Sequence, residues 1–533
     1  MTDLVNKLRG GYYTPGEVAR FICDWAITAE DTTVLEPSCG DGSFVVAAVN
    51  RLKELGVHDA SSLVTGVELY EEEARKAAEK GGRIVCGDFF SQCRDGIGAK
   101  RYDAIIGNPP FIRYQDFEEE YRSVAFDLMR DYGFAPNRLT NIWLPFLVVC
   151  CHLLSDRGRL GMVIPAELFQ VKYAAEARRF LMQQFDNVNV VTFSELLFEG
   201  AQQEVVLLLL ERNATNSGAG VRIIEEVNAK SLAQLGRKEI ESIKPKRKLP
   251  ESMKWQAYYL DSKVLDLLAE LNGHGGVKPS SELFDVNVGV VSGQNSFFVI
   301  DLETATRNHI EEACTPIISR SFQLSGLALT NEDFERQLEM QRKVLLFLPD
   351  GELTKDEASY IKLGEAEGFN GNFKCRIRTP WYRVPTSWKP DAFFYRQVGA
   401  YPRIVINEKQ AHTTDTLHKL RFTDGIDGRS VAVAFNNSLT FLMSELTGRS
   451  YGGGVLTFEP SEARSLPIPF NDGISFDFER ADELVRSGKT DELISYVDAV
   501  ILREHLGMTS QEIALVRDGW LMLRNRRLAR KKR

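Results

Sequence analysis

The 533-residue chain has no CxxC pair and no Cys/His run at zinc-ligand spacing, which excludes the common structural zinc sites and a thioredoxin-like redox pair. Its eight cysteines, at 23, 39, 86, 93, 150, 151, 314 and 375, are scattered, as expected of reduced thiols placed mostly in a core. Long hydrophobic runs are also missing. A bilayer-spanning helix needs roughly 20 apolar residues, and the longest candidates, Ile142 to Leu154 (broken by Pro145) and Val205 to Leu210, fall short. The N-terminus lacks the charged-then-apolar pattern of a signal peptide, so a cytoplasmic location with no membrane partner is expected. Nor is there a general excess of positive charge. The net charge is −9, which argues against a chain coated in basic residues. What remains is an ordinary globular composition, long enough for two or three domains with sizeable cores.

Basic charge is concentrated locally instead. Between Gly371 and Lys419, nine Lys or Arg stand against three Asp or Glu, interleaved with Phe373, Trp381, Tyr382, Trp388 and other rings. From Arg524 to Arg533 there are seven basic residues and no acid. Such asymmetry points to a polyanionic partner, with a solvated face and a loose tail as the plainer alternative.

The first two hundred residues alternate strand-like and helix-like segments. Thr14-Pro15-Gly16-Glu17 has the form of a capping box with proline in the first turn, which predicts a helix to about Ala26. Strands are predicted at 33–35, 63–67, 83–85, 104–106, 159–164, 188–193 and 204–210, with helices between them at 43–55 and 71–79. This alternation is that of an α/β, Rossmann-like domain with a mostly parallel sheet, whose ligands bind beyond the carboxyl ends of the strands. The charged run Lys244-Pro245-Lys246-Arg247-Lys248 reads as a linker. After it the texture becomes β-rich and irregular, and from about Phe476 it turns helical. The expected organisation is therefore a catalytic domain over 1–245, a β-rich α+β domain over 246–475 and a helical C-terminal segment with a basic tail over 476–533.

Chemistry first becomes visible in Val34-Leu35-Glu36-Pro37-Ser38-Cys39-Gly40-Asp41-Gly42-Ser43-Phe44, a strand, a glycine-rich turn and a helix start. The glycines let the backbone approach a ligand. A dinucleotide fingerprint needs a small residue where Val45 stands, and no Gly-Lys-Ser/Thr of a Walker loop follows. Some 26 residues past Gly42, Glu68 ends the next strand, placed to accept from ribose hydroxyls. Asp88 ends the third, followed by Phe89: an acceptor for an adenine amino group beside a ring to cover the base. Either acid alone is more simply a helix cap or a loop charge, but features at three successive strand ends point to one nucleoside site.

The fourth strand stops at Ile105-Ile106-Gly107-Asn108-Pro109-Pro110-Phe111. Prolines cannot donate to a sheet ladder and they fix the backbone. The Asn108 side-chain oxygen and the Pro109 carbonyl can then point the same way, matching the two hydrogens of an exocyclic amine. Phe111 offers a face on which a flat base can stack, worth about 1–3 kcal/mol.

With these residues in view, the chain resembles the gamma-class, TaqI-type adenine-N6 DNA methyltransferases. GGYYTP (Gly10–Pro15) is similar to their motif X, EPSCGDGSF to motif I with Glu36 where Asp is commoner, and NPPF to the catalytic tetrad with Phe in place of the more frequent Tyr. The resemblance implies S-adenosylmethionine as cofactor, held by Tyr13, Thr14, Pro15, Glu36, Pro37, Cys39, Gly40, Gly42, Phe44, Glu68, Asp88, Phe89 and Asn108. It implies catalysis by Asn108, Pro109, Pro110 and Phe111, no metal, and a second aromatic, Phe198, against the target base. More weakly, segments between residues 275 and 470 resemble the family's target-recognition domain, with Arg378, Arg383 and Arg396 as candidate DNA contacts. The implied reaction is methyl transfer to an adenine flipped out of double-stranded DNA, by a monomer on DNA, in restriction–modification or phage defence. A separately encoded endonuclease or defence-system subunits are the partners such a role implies. Rival readings are an RNA or protein-glutamine N-methyltransferase with the same pocket, a fused restriction–modification enzyme, and a non-catalytic DNA-binding specificity protein.

Overall fold

The computed structural model describes residues 14–195, 197, 204–212, 220–249, 253–386, 388–451 and 454–529. The chain forms two compact units, Met1–Tyr259 and Leu260–Arg533.

The first unit is built on eight strands: β1 (Val34–Glu36), β2 (Val64–Glu68), β3 (Arg83–Cys86), β4 (Tyr102–Gly107), β5 (Leu154–Pro165), β6 (Asn187–Phe193), β7 (Val205–Glu211) and β8 (Gly220–Glu226). They are ordered β3-β2-β1-β4-β5-β7-β6-β8. The first five run parallel, and β7 inserts antiparallel between β5 and β6. Side chains alternate between two cores, one on each face of the sheet. Leu35, Ile105, Leu160 and Leu208 enter one; Val34, Ala104, Ile106, Leu207 and Leu209 enter the other. Coverage of both faces explains why β7 reads as the unbroken apolar run VVLLLLE rather than as an alternation.

Helices α1 (Gly16–Ala26), α2 (Ser43–Glu54) and α3 (Glu71–Glu79) agree closely with the predicted spans. Helix α4 (Phe89–Asp95) follows β3, and α5 (Glu119–Asp131) follows the NPPF segment. The run at 142–154 is helix α6 (Trp143–Leu153), apolar on every side and buried. Its Pro145 sits in the first turn, where a missing N–H breaks no helical bond.

The charged run at 244–248, expected as a linker, is anchored to the first unit. Lys246 exchanges backbone bonds with Val221, its Nζ donates to the Tyr258 carbonyl, and Trp255 and Tyr258 are buried in the first core. The first compact unit thus extends to Tyr259, since lysine and arginine stems can pack while their charges reach solvent or a carbonyl.

The second unit contains a five-stranded sheet in the order Phe284–Val288, Leu417–Phe422, Ala392–Tyr395, Ile404–Asn407, Ala328–Leu329, and a four-stranded sheet through Leu345–Phe347 and Cys314–Ile318. Its last helix, Ser510–Ala529, starts at the capping box formed by Thr509 and Glu512. The C-terminal helices belong to this unit and do not stand apart. Trp520 packs against Phe441 at 5.1 Å between ring centroids, and Arg527 pairs with Glu445. Two of the basic residues expected in a loose tail thus face inward: Arg527 is buried, and Arg524 lies 4.7 Å over the Trp520 ring. Among the described residues, no helix is long and apolar enough to cross a membrane. All eight cysteines are free thiols, six of them buried.

Candidate active site

Strands β1 and β4 are neighbours, with β2 and β3 beyond β1 and β5 beyond β4. Strand order therefore reverses between β1 and β4, which opens a crevice at their carboxyl ends. A cavity of about 230 Å³ lies there, lined by residues that follow all four of β1 to β4.

The turn after β1 forms the floor. Gly40 and Gly42 have φ of +52° and +86°, in the left-handed region that favours glycine. At Gly42 a Cβ would lie 2.9 Å from the Ala77 Cα of α3, so the turn and helix can pack only with glycine there. The Gly40 N–H donates to Glu68 Oε2 at 2.9 Å, and the Tyr70 N–H donates to Glu68 Oε1 at 3.0 Å. Two main-chain donors thus fix the carboxylate plane at the end of β2.

Asp88 performs the plainer role as well as standing at the site. Its Oδ2 caps α4, accepting from Ser91 N–H at 2.7 Å and Ser91 Oγ at 2.8 Å, and the residue also lines the cavity. Phe89 beside it stacks on Phe146 at 5.1 Å with planes 10° apart, giving a flat apolar wall. Burial pushes the carboxyls of Glu36, Glu68 and Asp88 above their ordinary range, most strongly Glu36. Backbone hydrogen bonds from Tyr70 and Gly40 oppose the rise at Glu68.

Asn108 follows β4. Its Nδ2 donates to Thr14 Oγ1 at 3.2 Å, which orients the carboxamide, and its carbonyl accepts from Ser38 Oγ at 3.5 Å. The bond accounts for a departure from the expected capping box. Pro15, not Thr14, is the N-cap of α1, and no side chain caps that helix end. The Thr14 hydroxyl is used by Asn108 instead.

Of the residues singled out in the sequence, Thr14, Pro37, Cys39, Gly40 and Phe44 line the cavity from one side. Glu68, Asp88, Phe89, Asn108 and Pro110 line it from the other strand ends. Pro15, Glu36, Gly42, Pro109 and Phe111 do not. Glu36 is buried at the tip of β1, and its Oε2 has no hydrogen-bond partner among the described residues. Phe111 is half-buried and packs against both cores, so its ring is not part of the cavity wall expected of it. Tyr13, Phe198 and the segment 10–13 lie outside the described residues.

The cavity wall also holds residues that the sequence reading passed over: Ile112, Phe117, Tyr121, Tyr70 and Phe146. Phe117 and Tyr121 sit at the entry to α5, spaced i,i+4. That spacing is a helical-face signal, but it lies outside any strand end.

In the second unit, each candidate arginine already donates to the protein. Arg378 reaches the Ser292 and Val291 carbonyls at 2.6 and 2.5 Å, and Arg383 the Gly351 carbonyl at 2.8 Å. Arg396 pairs with Glu459 at 3.0 Å and donates to the Asp415 carbonyl, so its fork is taken up by the fold rather than offered outward.

A switch-point cavity with a glycine turn, two strand-end carboxylates and an asparagine-proline tip defines the class: a Rossmann-like, S-adenosylmethionine-dependent methyltransferase. Residues 2–248 match the N-6 DNA Methylase family, and residues 252–502 match the family of the Type II methyltransferase M.Eco57I, C-terminal domain. The chain thus joins an N-6 DNA Methylase domain to an M.Eco57I-type C-terminal domain, and it is an adenine-specific DNA methyltransferase of the restriction–modification kind. It is similar to the Type II methyltransferase M.AccI of Acinetobacter calcoaceticus, 23% identical over 531 residues and covering 92% of each chain. It is also similar to M.XamI of Xanthomonas campestris pv. amaranthicola, 22% identical over 86% of this chain and 85% of that one. Among solved structures, the Type IIL restriction-modification enzyme MmeI shares the fold with a TM-score of 0.58 at 11% identity, over 93% of this chain and 73% of its own. The family match leaves the RNA, protein-glutamine and non-catalytic readings disfavoured.

The residues fit the cofactor: buried carboxylates to accept from hydroxyl and amino groups, a glycine turn that admits close approach, and an apolar wall for a purine. A hydrogen bond to a charged group is worth about 1.5–3 kcal/mol. Glu68→Gln should therefore weaken S-adenosylmethionine binding about 10- to 100-fold by calorimetry. Because burial raises the Glu68 and Asp88 carboxyls, wild-type affinity should begin to fall on acidification at a higher pH than an ordinary carboxylate would impose. In the cofactor-free chain the sign reverses. A raised folded pKa contributes stability below the unfolded value, about 4–4.5, that is lost as pH rises through the folded value. A cofactor affinity that is flat down to pH 4.5 would show that these carboxylates are not the acceptors.

Proposed function

We propose that the chain is a gamma-class, site-specific DNA methyltransferase in which Asn108 and Pro109 receive the N6 amine of an extrahelical adenine. The observation that supports this most is the single cavity joining Glu68 and Asp88 to Asn108, since a shut tip would leave cofactor and substrate unconnected. S-adenosylmethionine supplies an already activated methyl group, so the protein's task is mainly placement.

Glu68 and Asp88 hold the nucleoside end, with the stacked Phe89 and Phe146 as the wall for its base. Thr14 keeps the Asn108 carboxamide oriented. The Asn108 side-chain oxygen and the Pro109 carbonyl accept the two amine hydrogens, which draws the nitrogen lone pair out of conjugation and aims it at the methyl group. The methylated ammonium is acidic enough to lose its proton without a strong base. Unstacking the target base costs a few kcal/mol. Aromatic faces at the site, Phe117 and Tyr121 among them, can offset part of that cost.

The second unit is the target-recognition domain in this reading. The protein acts in the cytoplasm as a monomer on duplex DNA, beside a separately encoded endonuclease or the subunits of a defence system. The deciding experiment is expression in a host without adenine methylation, followed by long-read mapping of N6-methyladenine. One short sequence modified throughout the genome is expected. An unmodified genome, with soluble protein that binds S-adenosylmethionine, would overturn the proposal.

A further inference from the structure

The basic and aromatic stretch that begins at Gly371 contains a feature that phosphate contact alone does not explain. Phe373 and Ile377 are each 61% exposed, although apolar side chains of this size normally find cover. They are four residues apart on the short helix Phe373–Arg376 and its C-cap, a spacing that puts them on one face. Cations flank the ring: Lys374 Nζ lies 5.6 Å and the Arg376 guanidinium 5.5 Å from its centroid. From Phe369 to Arg383 the sequence carries four basic residues and no acid.

The base of this tip is tied down. Asn372 Nδ2 donates to Gln294 Oε1 at 2.9 Å, and Arg378 holds the Val291 and Ser292 carbonyls. Cys375 is fully buried against Gly293, where an added Cβ would lie 2.9 Å from the Lys374 Cβ and 3.0 Å from the Cys375 sulfur. A close fit of this kind leaves an apolar point on a fixed, positively charged mount.

We propose that Phe373, backed by Ile377, is a wedge that enters the base stack of bound duplex DNA while Lys374 and Arg376 engage the flanking phosphates. The proposal rests on the reading of the chain as a DNA methyltransferase. Positive charge selects a polyanion, and an exposed apolar point amid that charge suits the space between base pairs better than the charged backbone.

The test uses the full chain and duplexes bearing its mapped methylation site, with 2-aminopurine placed in turn at positions other than the target adenine. Wild type should raise fluorescence at one such position, where a step is unstacked. Phe373→Ala should lose that signal and bind about 5- to 150-fold more weakly, the range for one stacked ring, with an unchanged thermal midpoint because the side chain is exposed. Phe373→Trp should keep both. Lys374→Ala should lower the salt dependence of binding by about one phosphate contact and leave the fluorescence as it was. Wild-type affinity in Phe373→Ala overturns the wedge, as does weaker binding with no non-target signal in the wild type, and in either case methylation by the wild type leaves the parent reading standing. A wild-type chain that neither methylates nor binds duplex overturns both.

Discussion

Asn108→Ala should lower single-turnover methyl transfer by about 10²- to 10³-fold, the loss typical of removing one preorganised polar group from a transition state. Affinity for S-adenosylmethionine should stay within a few fold, because the nucleoside end is held by Glu68 and Asp88 rather than by the tip. The reason lies in how few groups the reaction uses. In the proposed mechanism, with no general base and no covalent intermediate, the rate depends on aiming one lone pair, and the Asn108 oxygen is one of two acceptors that aim it. The Pro109 carbonyl survives the substitution, which is why the loss is large but not total.

Thr14 supplies an internal control. Its hydroxyl accepts from the amide nitrogen of Asn108 at 3.2 Å. Thr14→Val keeps the shape of the side chain and leaves the Asn108 oxygen in place but less firmly oriented. It should lower the rate by a smaller factor than Asn108→Ala. Near wild-type turnover in Asn108→Ala, measured with saturating cofactor and enzyme in excess over DNA, would end the paired-acceptor mechanism.

The catalytic half was legible because strand ends leave local marks. A glycine turn, an acid at the end of each of two strands and a proline stop are each confined to a few residues, and parallel order then brings them to one edge. Walls of the cavity that come from elsewhere left no such mark. Phe146 belongs to a helix that is apolar on every side, so nothing in its sequence separates the ring facing the cofactor wall from its neighbours in the core. Phe117 and Tyr121 become wall residues only through the path of the chain after Pro110.

Charge was misleading for a related reason. Arg396 and Arg527 read as solvent-facing or DNA-facing cations, but long-range partners, Glu459 and Glu445, lie 63 and 82 residues away and cannot be paired from a single sequence. The same non-local pairing placed Lys246 inside the first unit. By contrast, the capping box at Thr509 is complete within four residues, and it forms as its spacing predicts.

Arg527→Ala should destabilise the second unit by about 3–5 kcal/mol, the cost of stranding one member of a buried ion pair. The pair is bidentate, with Arg527 Nε and one terminal nitrogen on the two Glu445 oxygens at 2.8 and 2.6 Å, and the side chains are 3% and 5% exposed. The guanidinium also donates to the Gly454 and Gly399 carbonyls at 2.6 and 2.9 Å, so its loss leaves the buried Glu445 carboxylate and Gly454 carbonyl short of donors, while the exposed Gly399 can turn to water. The pair need not add net stability, because desolvating two charges offsets much of their attraction. Replacing both at once, Glu445→Leu with Arg527→Met, should therefore recover most of the loss, the remainder reflecting the Gly454 carbonyl. Urea unfolding of wild type, single and double variants separates these cases. If Arg527→Ala costs under 1 kcal/mol, the expected scale for an exposed pair, the last helix is not fastened to its unit through this contact.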